Sequence, residues 1–209
     1  AFCSGQDLGD RANASNLDME RTLRDEYAPM LRAIVDCPVP TIAAVNGAAA
    51  GAGANLALAA DVVIASESAY FLQAFTRIGL IPDAGGTYVL PRTIGTAKAM
   101  GAALFADKIT ARQADDWGMI WEAVADDAFD AHWKARAAHL ANGPTSAYAA
   151  VKKVIRGSWD QGFEDHGRGG RLQGLVEPLQ GPRAGRVPLR EGAAPGRLGG
   201  LALDQPPLQ

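Results

Sequence analysis

Two segments of the chain carry groups from which a reaction could be built. Asp83 stands in Ile81-Pro82-Asp83-Ala84-Gly85-Gly86-Thr87. Upstream lies the small-residue run Asn46-Gly47-Ala48-Ala49-Ala50-Gly51-Ala52-Gly53-Ala54-Asn55. A carboxylate can take a proton and return it. Glycine and alanine let main-chain N–H groups approach a ligand closely. Where such a run opens a helix, its first N–H groups have no partner within the helix and point toward one spot. Donors aimed at a carbonyl oxygen stabilise the charge that develops there, and loss of one typically costs about 3 kcal/mol of transition-state stabilisation. Together the segments offer proton transfer beside a polarised carbonyl.

Each segment also has a plainer reading. Small residues serve close helix packing equally well. An Asp between Pro and Ala-Gly-Gly is often a turn residue or a helix N-cap. The run lacks the Gly-Lys-Ser/Thr ending of a phosphate loop. Phe2-Cys3-Ser4-Gly5-Gln6-Asp7-Leu8 reads as a strand end entering a glycine turn. His132, His139 and His166 show no metal-ligand spacing, and the first two fall on a predicted surface helix, where solvation is the default. Trp117, Trp121 and Trp133 read as core or interface. Apolar Ile81, Pro82 and Ala84 would give Asp83 a dry setting, as a general base requires.

The elements that must position these groups follow from periodicity and punctuation. Residues 18–36 have helical spacing at Leu23, Tyr27, Met30, Leu31, Ile34 and Val35, ended by Pro38 and Pro40. Residues 41–45 predict a buried strand. Asn46-Gly47 then turns the chain directly into a helix over 52–60. Strands are predicted at 62–65, 70–72 and 119–124. Helices are predicted from about 86, over 96–105 and 111–117, and over 128–141 and 146–155. Strands alternating with helices make an α/β protein.

Composition limits the function classes. A net charge of −3 over 209 residues gives no basic field for nucleic acid. No apolar run approaches the roughly 18 residues that span a bilayer. Cys3 and Cys37 follow no disulfide or metal pattern, as in a reducing cytoplasm. The opening Ala1-Phe2-Cys3 is expected to be the end of a strand whose earlier part is missing. From residue 157 the composition shifts. The last 53 residues hold half of the 24 glycines and half of the 12 prolines, and no Ile, Met, Lys, Thr or Tyr. That is the composition of a disordered tail, or of a shifted reading frame in a GC-rich gene, which is the reading preferred here. The expected division is therefore 1–156 as the functional core and 157–209 as a tail without assigned function. The Arg-Gly cluster at 167–171 only superficially resembles an RNA-binding segment.

The segments 2–8, 46–61 and 79–87, in this order and at these separations, resemble the crotonase (enoyl-CoA hydratase/isomerase) superfamily. The likeness runs from Ala1 to about Arg156. It implies a spiral of ββα turns, an acyl-CoA thioester substrate, and a homotrimer or hexamer. It implies an oxyanion hole from the N–H groups of Gln6 and Ala52, with Ser4, Gln6, Asp7 and Leu8 along the coenzyme A. Phe75 and Phe71 would line the acyl pocket. Hydratases of the superfamily carry glutamates where this chain has Asn55 and Phe75, so the resemblance argues against hydration. Asp83 remains as the acid–base group. Gly5-Gln6-Asp7-Leu8, Gly51-Ala52-Gly53-Ala54, Ile81-Pro82-Asp83 and residues 117–121 are most similar to the isomerases that convert 1,2-epoxyphenylacetyl-CoA to oxepin-CoA and can shift a 3,4 double bond to 2,3. No metal or redox cofactor is implied, coenzyme A being part of the substrate. The alternatives are another hydratase or isomerase activity, or a non-catalytic or incomplete relative.

Overall fold

The computed structural model describes residues 1–7 and 19–160. The readings made for Leu8, for His166 and for nearly all of the Gly/Pro/Arg-rich segment lie outside the described residues.

Pro and Gly divide the described chain into short pieces that stack in parallel. Helix α1 (Met19–Thr22) continues through a π turn at Leu23–Tyr27 into α2 (Ala28–Val35). Strands β1 (Ile42–Val45) and β2 (Ala48–Ala50) lead into α3 (Ala52–Leu58). Then follow β3 (Val62–Ser66), β4 (Tyr70–Leu72) and a 3-10 turn, Ala74–Ile78. Helices α4 (Gly86–Thr93) and α5 (Gly95–Phe105) come next, then β5 (Ile109–Thr110) and α6 (Ala111–Asp116). Strand β6 (Glu122–Val124), α7 (Asp126–Asn142), α8 (Thr145–Gly157) and a 3-10 turn at Ser158–Asp160 complete it.

Two three-stranded sheets result, in the orders β1-β3-β6 and β2-β4-β5. Ile42 pairs with Val62 and Ala48 with Tyr70, both in parallel register. Each β-β-α turn of the chain thus lies on the preceding one, and the path is a coil. Among the described residues only β4 and β5 pair antiparallel.

The core between the coils is built largely of alanine. Ala49, Ala54, Ala65, Ala111 and Ala114 are fully buried with Val45, Phe71 and Leu90. Methyl-sized side chains let strand and helix backbones approach closely, which is where the small-residue run finds its packing role. The Asp61 carboxylate accepts from the N–H and hydroxyl of Thr41 at 2.8 and 2.9 Å, joining the starts of β1 and β3. Thr110 and Gln113 cap α6 reciprocally.

Three expectations need correction. Residues 48–50 are a strand, not part of a turn into a helix, and α3 ends at Leu58. Alanine has low strand propensity, but the parallel partner β4 supplies the hydrogen bonds that hold it extended. Phe71 is in the core, 1% exposed: strand alternation turns it away from the candidate site. His132 is not simply solvated, since its Nε2 stands 2.7 Å from Glu122 Oε1.

Candidate active site

The first seven residues are held against the second coil. The N–H groups of Phe2 and Cys3 donate to the Ala48 carbonyl at 2.9 and 3.1 Å, and Ala50 N–H donates to the Cys3 carbonyl at 2.9 Å. A single parallel bridge joins Cys3 and Ala49. The contact depends on Gly53, where an added Cβ would overlap the Cys3 carbonyl. Gly51 has φ +54° and ψ −128°, a conformation that only glycine adopts readily. Its N–H donates to the Leu72 carbonyl at 2.8 Å. These constraints set the Gly5-Gln6 turn beside Ala52, whose N–H, in the first turn of α3, has no carbonyl partner within the helix.

Asp83 opens a left-handed turn. Ala84 has φ +48° and is not glycine, and Gly85 follows at φ +81°. A left-handed alanine costs about 1–2 kcal/mol and persists where its surroundings over-determine it. The Asp83 carbonyl here accepts two hydrogen bonds, from Gly86 N–H at 2.9 Å and from Asn55 Nδ2 at 2.8 Å. Asn55 Oδ1 in turn accepts from Gln73 Nε2 at 2.8 Å. Both amides are buried, Asn55 at 2% and Gln73 at 1% exposure. The second acceptor, Gln73 Oε1, has no hydrogen-bond partner among the described residues. An unmet buried acceptor costs about 1–3 kcal/mol.

Ser4, Gln6, Ala52, Phe75 and Asp83 line one cleft, with Ile78 and Leu80 supplying apolar surface. Sequence reasoning names each of the five, from four separate stretches of the chain, and the fold brings them together. Asp83 is half-buried, with its Oδ1 buried. Pro82 and Ala84 are buried beside it as expected, but Ile81 is 77% exposed. The apolar lining of the cleft comes instead from buried Phe75, half-buried Leu80 and partly exposed Ile78. Asp7 is exposed and does not line the cleft.

A second cavity of about 290 Å³ shares Gly5 and Ala52 with the cleft and is bordered by Tyr27, Glu26 and Cys3. Burial holds the Tyr27 phenol above its ordinary 10.0, and negative charge at Asp83, Cys3 and Glu26 raises it further. The phenol is therefore protonated at neutral pH. Sequence periodicity marked Tyr27 only as an apolar helix position. Asn55 and Gln73 were missed as supports because nothing local pairs residues 18 and 28 positions apart.

A larger apolar cavity of about 570 Å³ lies between α2, α4 and α8. Its charged groups, Asp61, Lys152 and Arg156, are engaged with one another, so proton chemistry is better placed in the cleft. Among the described residues no group of three or more His, Cys, Asp or Glu could hold a metal ion, and no helix is long and apolar enough to cross a membrane.

The sequence matches the family described as enoyl-CoA hydratase/isomerase over residues 1–168. The chain belongs to that family. It is 69% identical over 155 residues to a probable enoyl-CoA hydratase of Rhodobacter capsulatus, covering 74% of this chain and 60% of the relative. It is 46% identical over 157 residues to the 1,2-epoxyphenylacetyl-CoA isomerase of Escherichia coli, again 74% and 60%. The chain thus spans about 60% of the length of these relatives. A crystal structure of a putative enoyl-CoA hydratase/isomerase from Mycobacterium abscessus superposes with a TM-score of 0.80 at 36% identity, over 88% of this chain and 71% of that one. The ββα coil is the crotonase fold that the resemblance implied.

Proposed function

We propose that this member of the enoyl-CoA hydratase/isomerase family is an acyl-CoA isomerase of aromatic, phenylacetate-type catabolism. Its reactions are opening of 1,2-epoxyphenylacetyl-CoA to oxepin-CoA, shift of a 3-enoyl thioester to its 2-enoyl isomer, or both. The observation that carries the reading is one cleft bordered by one carboxylate, Asp83, and by Gln6 and Ala52. In this reading the thioester oxygen accepts from the N–H groups of Gln6 and Ala52. That acidifies C2, because the electrons left by the departing proton spread onto an oxygen already held by donors. Asp83 takes the C2 proton and returns it to C4, and the double bond moves from 3,4 to 2,3. Proton and electron pair are conserved, so the step calls for no redox partner.

Phe75 closes the acyl side, and Ser4, Asp7 and Leu8 follow the coenzyme A. The intact assembly is proposed as a homotrimer or hexamer in the cytoplasm. Exposed Met100, Leu104 and Phe105 on α5 support burial against another copy. The division at 156/157 is likewise proposed from composition.

A second reading, hydration, is favoured by the name of the Rhodobacter relative. Hydration needs groups that position and activate water. The two positions matched to hydratase glutamates hold Asn55, engaged by Gln73 and the Asp83 carbonyl, and apolar Phe75. Product analysis decides between them. The chain and its Asp83→Asn variant are given a 3-enoyl-CoA, a 2-enoyl-CoA and an epoxyphenylacetyl-CoA. Isomerised product lost with Asp83→Asn is the expected result. A 3-hydroxyacyl product, or full isomerase activity in a folded Asp83→Asn variant, would overturn it.

A further inference from the structure

The amide of Gln73 touches neither the cleft nor the turn, yet the direction of every hydrogen bond between it and Asp83 is fixed. A main-chain carbonyl only accepts, so the Asn55 atom facing Asp83 must be Nδ2. That leaves Oδ1 as the other face of Asn55, which must meet a donor, and Gln73 Nε2 is that donor. Gln73 makes this bond while its own Oε1 stays buried without a hydrogen-bond partner among the described residues. A Met or Leu would fill the same space with no acceptor to satisfy. The amide is therefore explained by what it does for Asn55. Asn55 in turn is packed tightly against the next element, since a Cβ at Gly86 would fall 2.5 Å from its Nδ2. It thus contacts both sides of the left-handed Ala84-Gly85 segment: the carbonyl before it and the helix start after it.

We propose that Gln73 and Asn55 are positioning residues, a buried amide relay that holds the Asp83 turn in its left-handed form and so aims the carboxylate at the cleft. Gln73 orients Asn55, and Asn55 clamps the Asp83 carbonyl. The two act in series, so removing either one releases the same turn. The catalytic consequence rests on Asp83 being the proton-transfer group. The clamp itself does not.

The test uses Asn55→Ala, Gln73→Met and the double variant in the full chain. Two quantities are read: amide hydrogen exchange at Gly86, and kcat and KM for isomerisation of a 3-enoyl-CoA. Exchange at Gly86 is expected to accelerate about tenfold or more in all three variants, with strands β1 and β3 unchanged. A displacement of about 1 Å in a catalytic group costs on the order of 100-fold, so kcat should fall by roughly 10- to 100-fold with KM nearly constant. The double variant should be no worse than Asn55→Ala alone. Unchanged Gly86 protection in Asn55→Ala overturns the relay whatever the activity. Additive losses in the double variant overturn the series arrangement. A parent chain without turnover of any acyl-CoA overturns the reading of Asp83, and the relay is then judged by Gly86 protection alone.

Discussion

Lys152 Nζ stands 2.8 Å from Asp61 Oδ2, with side-chain exposures of only 9% and 14%. Arg156 reaches the other oxygen of the same carboxylate at 2.9 Å and also donates to the Ala59 carbonyl. One Asp therefore fastens α8 to the junction of α3 and β3, on which the start of β1 also depends through Thr41.

Removal of the shared anion should cost more than removal of either cation. Asp61→Asn leaves Lys152 in a nearly dry site without its counter-charge, at a cost of about 3 kcal/mol. Lys152→Met leaves the Asp61–Arg156 pair and the aliphatic packing but removes the donor to the Ile34 carbonyl, and should cost about 1–2 kcal/mol. Denaturant unfolding of both variants checks the order, and equal losses would refute it.

The same carboxylate predicts a pH dependence. Burial alone would raise its pKa, but bonds from Lys152, from Thr41 N–H and hydroxyl, and from Arg156 bring it below the ordinary 3.8. The unfolded chain then binds this proton more readily than the folded one. The contribution is present above 3.8 and is lost as pH falls through the lower folded value. Unfolding free energies at about pH 5 and about pH 3 should differ less in Asp61→Asn than in the parent. An identical acid slope would show that other carboxylates set it.

Asp83 is expected to reveal itself in two independent ways. Asp83→Asn should lower kcat by about 10²- to 10⁴-fold with little change in KM. It should also bring the Tyr27 phenol part of the way back toward 10.0, since burial, the largest cause of its elevation, remains. Carbon NMR of labelled tyrosine over alkaline pH gives the second reading without substrate. An unmoved Tyr27 would mean that the Asp83 charge does not reach it.

Gly53→Ala tests the seam between the first residues and α3. Its methyl has no room beside the Cys3 carbonyl, so residues 3–6 must move away from Ala52. Activity should fall by roughly 100-fold, the scale for a misplacement of about 1 Å. A variant with full activity would show that Gln6 and Ala52 do not act together.

The sequence disclosed the cleft better than its scaffolding. Gly5, Gly51 and Pro82 mark turns where the backbone has few options, so the residues beside them could be located from the chain alone. Ala48–Ala50 could not be read as a strand, because its extended form depends on pairing with β4 rather than on its side chains. Nor could the bond from Asn55 to the Asp83 carbonyl be read. Asn55 has a plain meaning only as a polar residue in a small-residue helix, and its partner is chosen by how α3 and α4 pack. Ile81 looked like a wall of the site but is exposed, because apolar character alone does not say which way a loop residue faces.

Gln6 and Ala52 come from parts of the chain that meet through the main-chain hydrogen bonds of Phe2 and Cys3 and one bridge, at Cys3 and Ala49. Phe2 packs against the core, but none of residues 1–7 is fully buried, unlike the alanines of the coils behind them, so this seam is expected to open before the coils do. On the proposed reading of Gln6 and Ala52, local opening there would silence isomerisation while circular dichroism is unaltered. Loss of activity on warming would then report the fraction of molecules in which a few main-chain contacts have opened, at a temperature below that at which the coils themselves come apart.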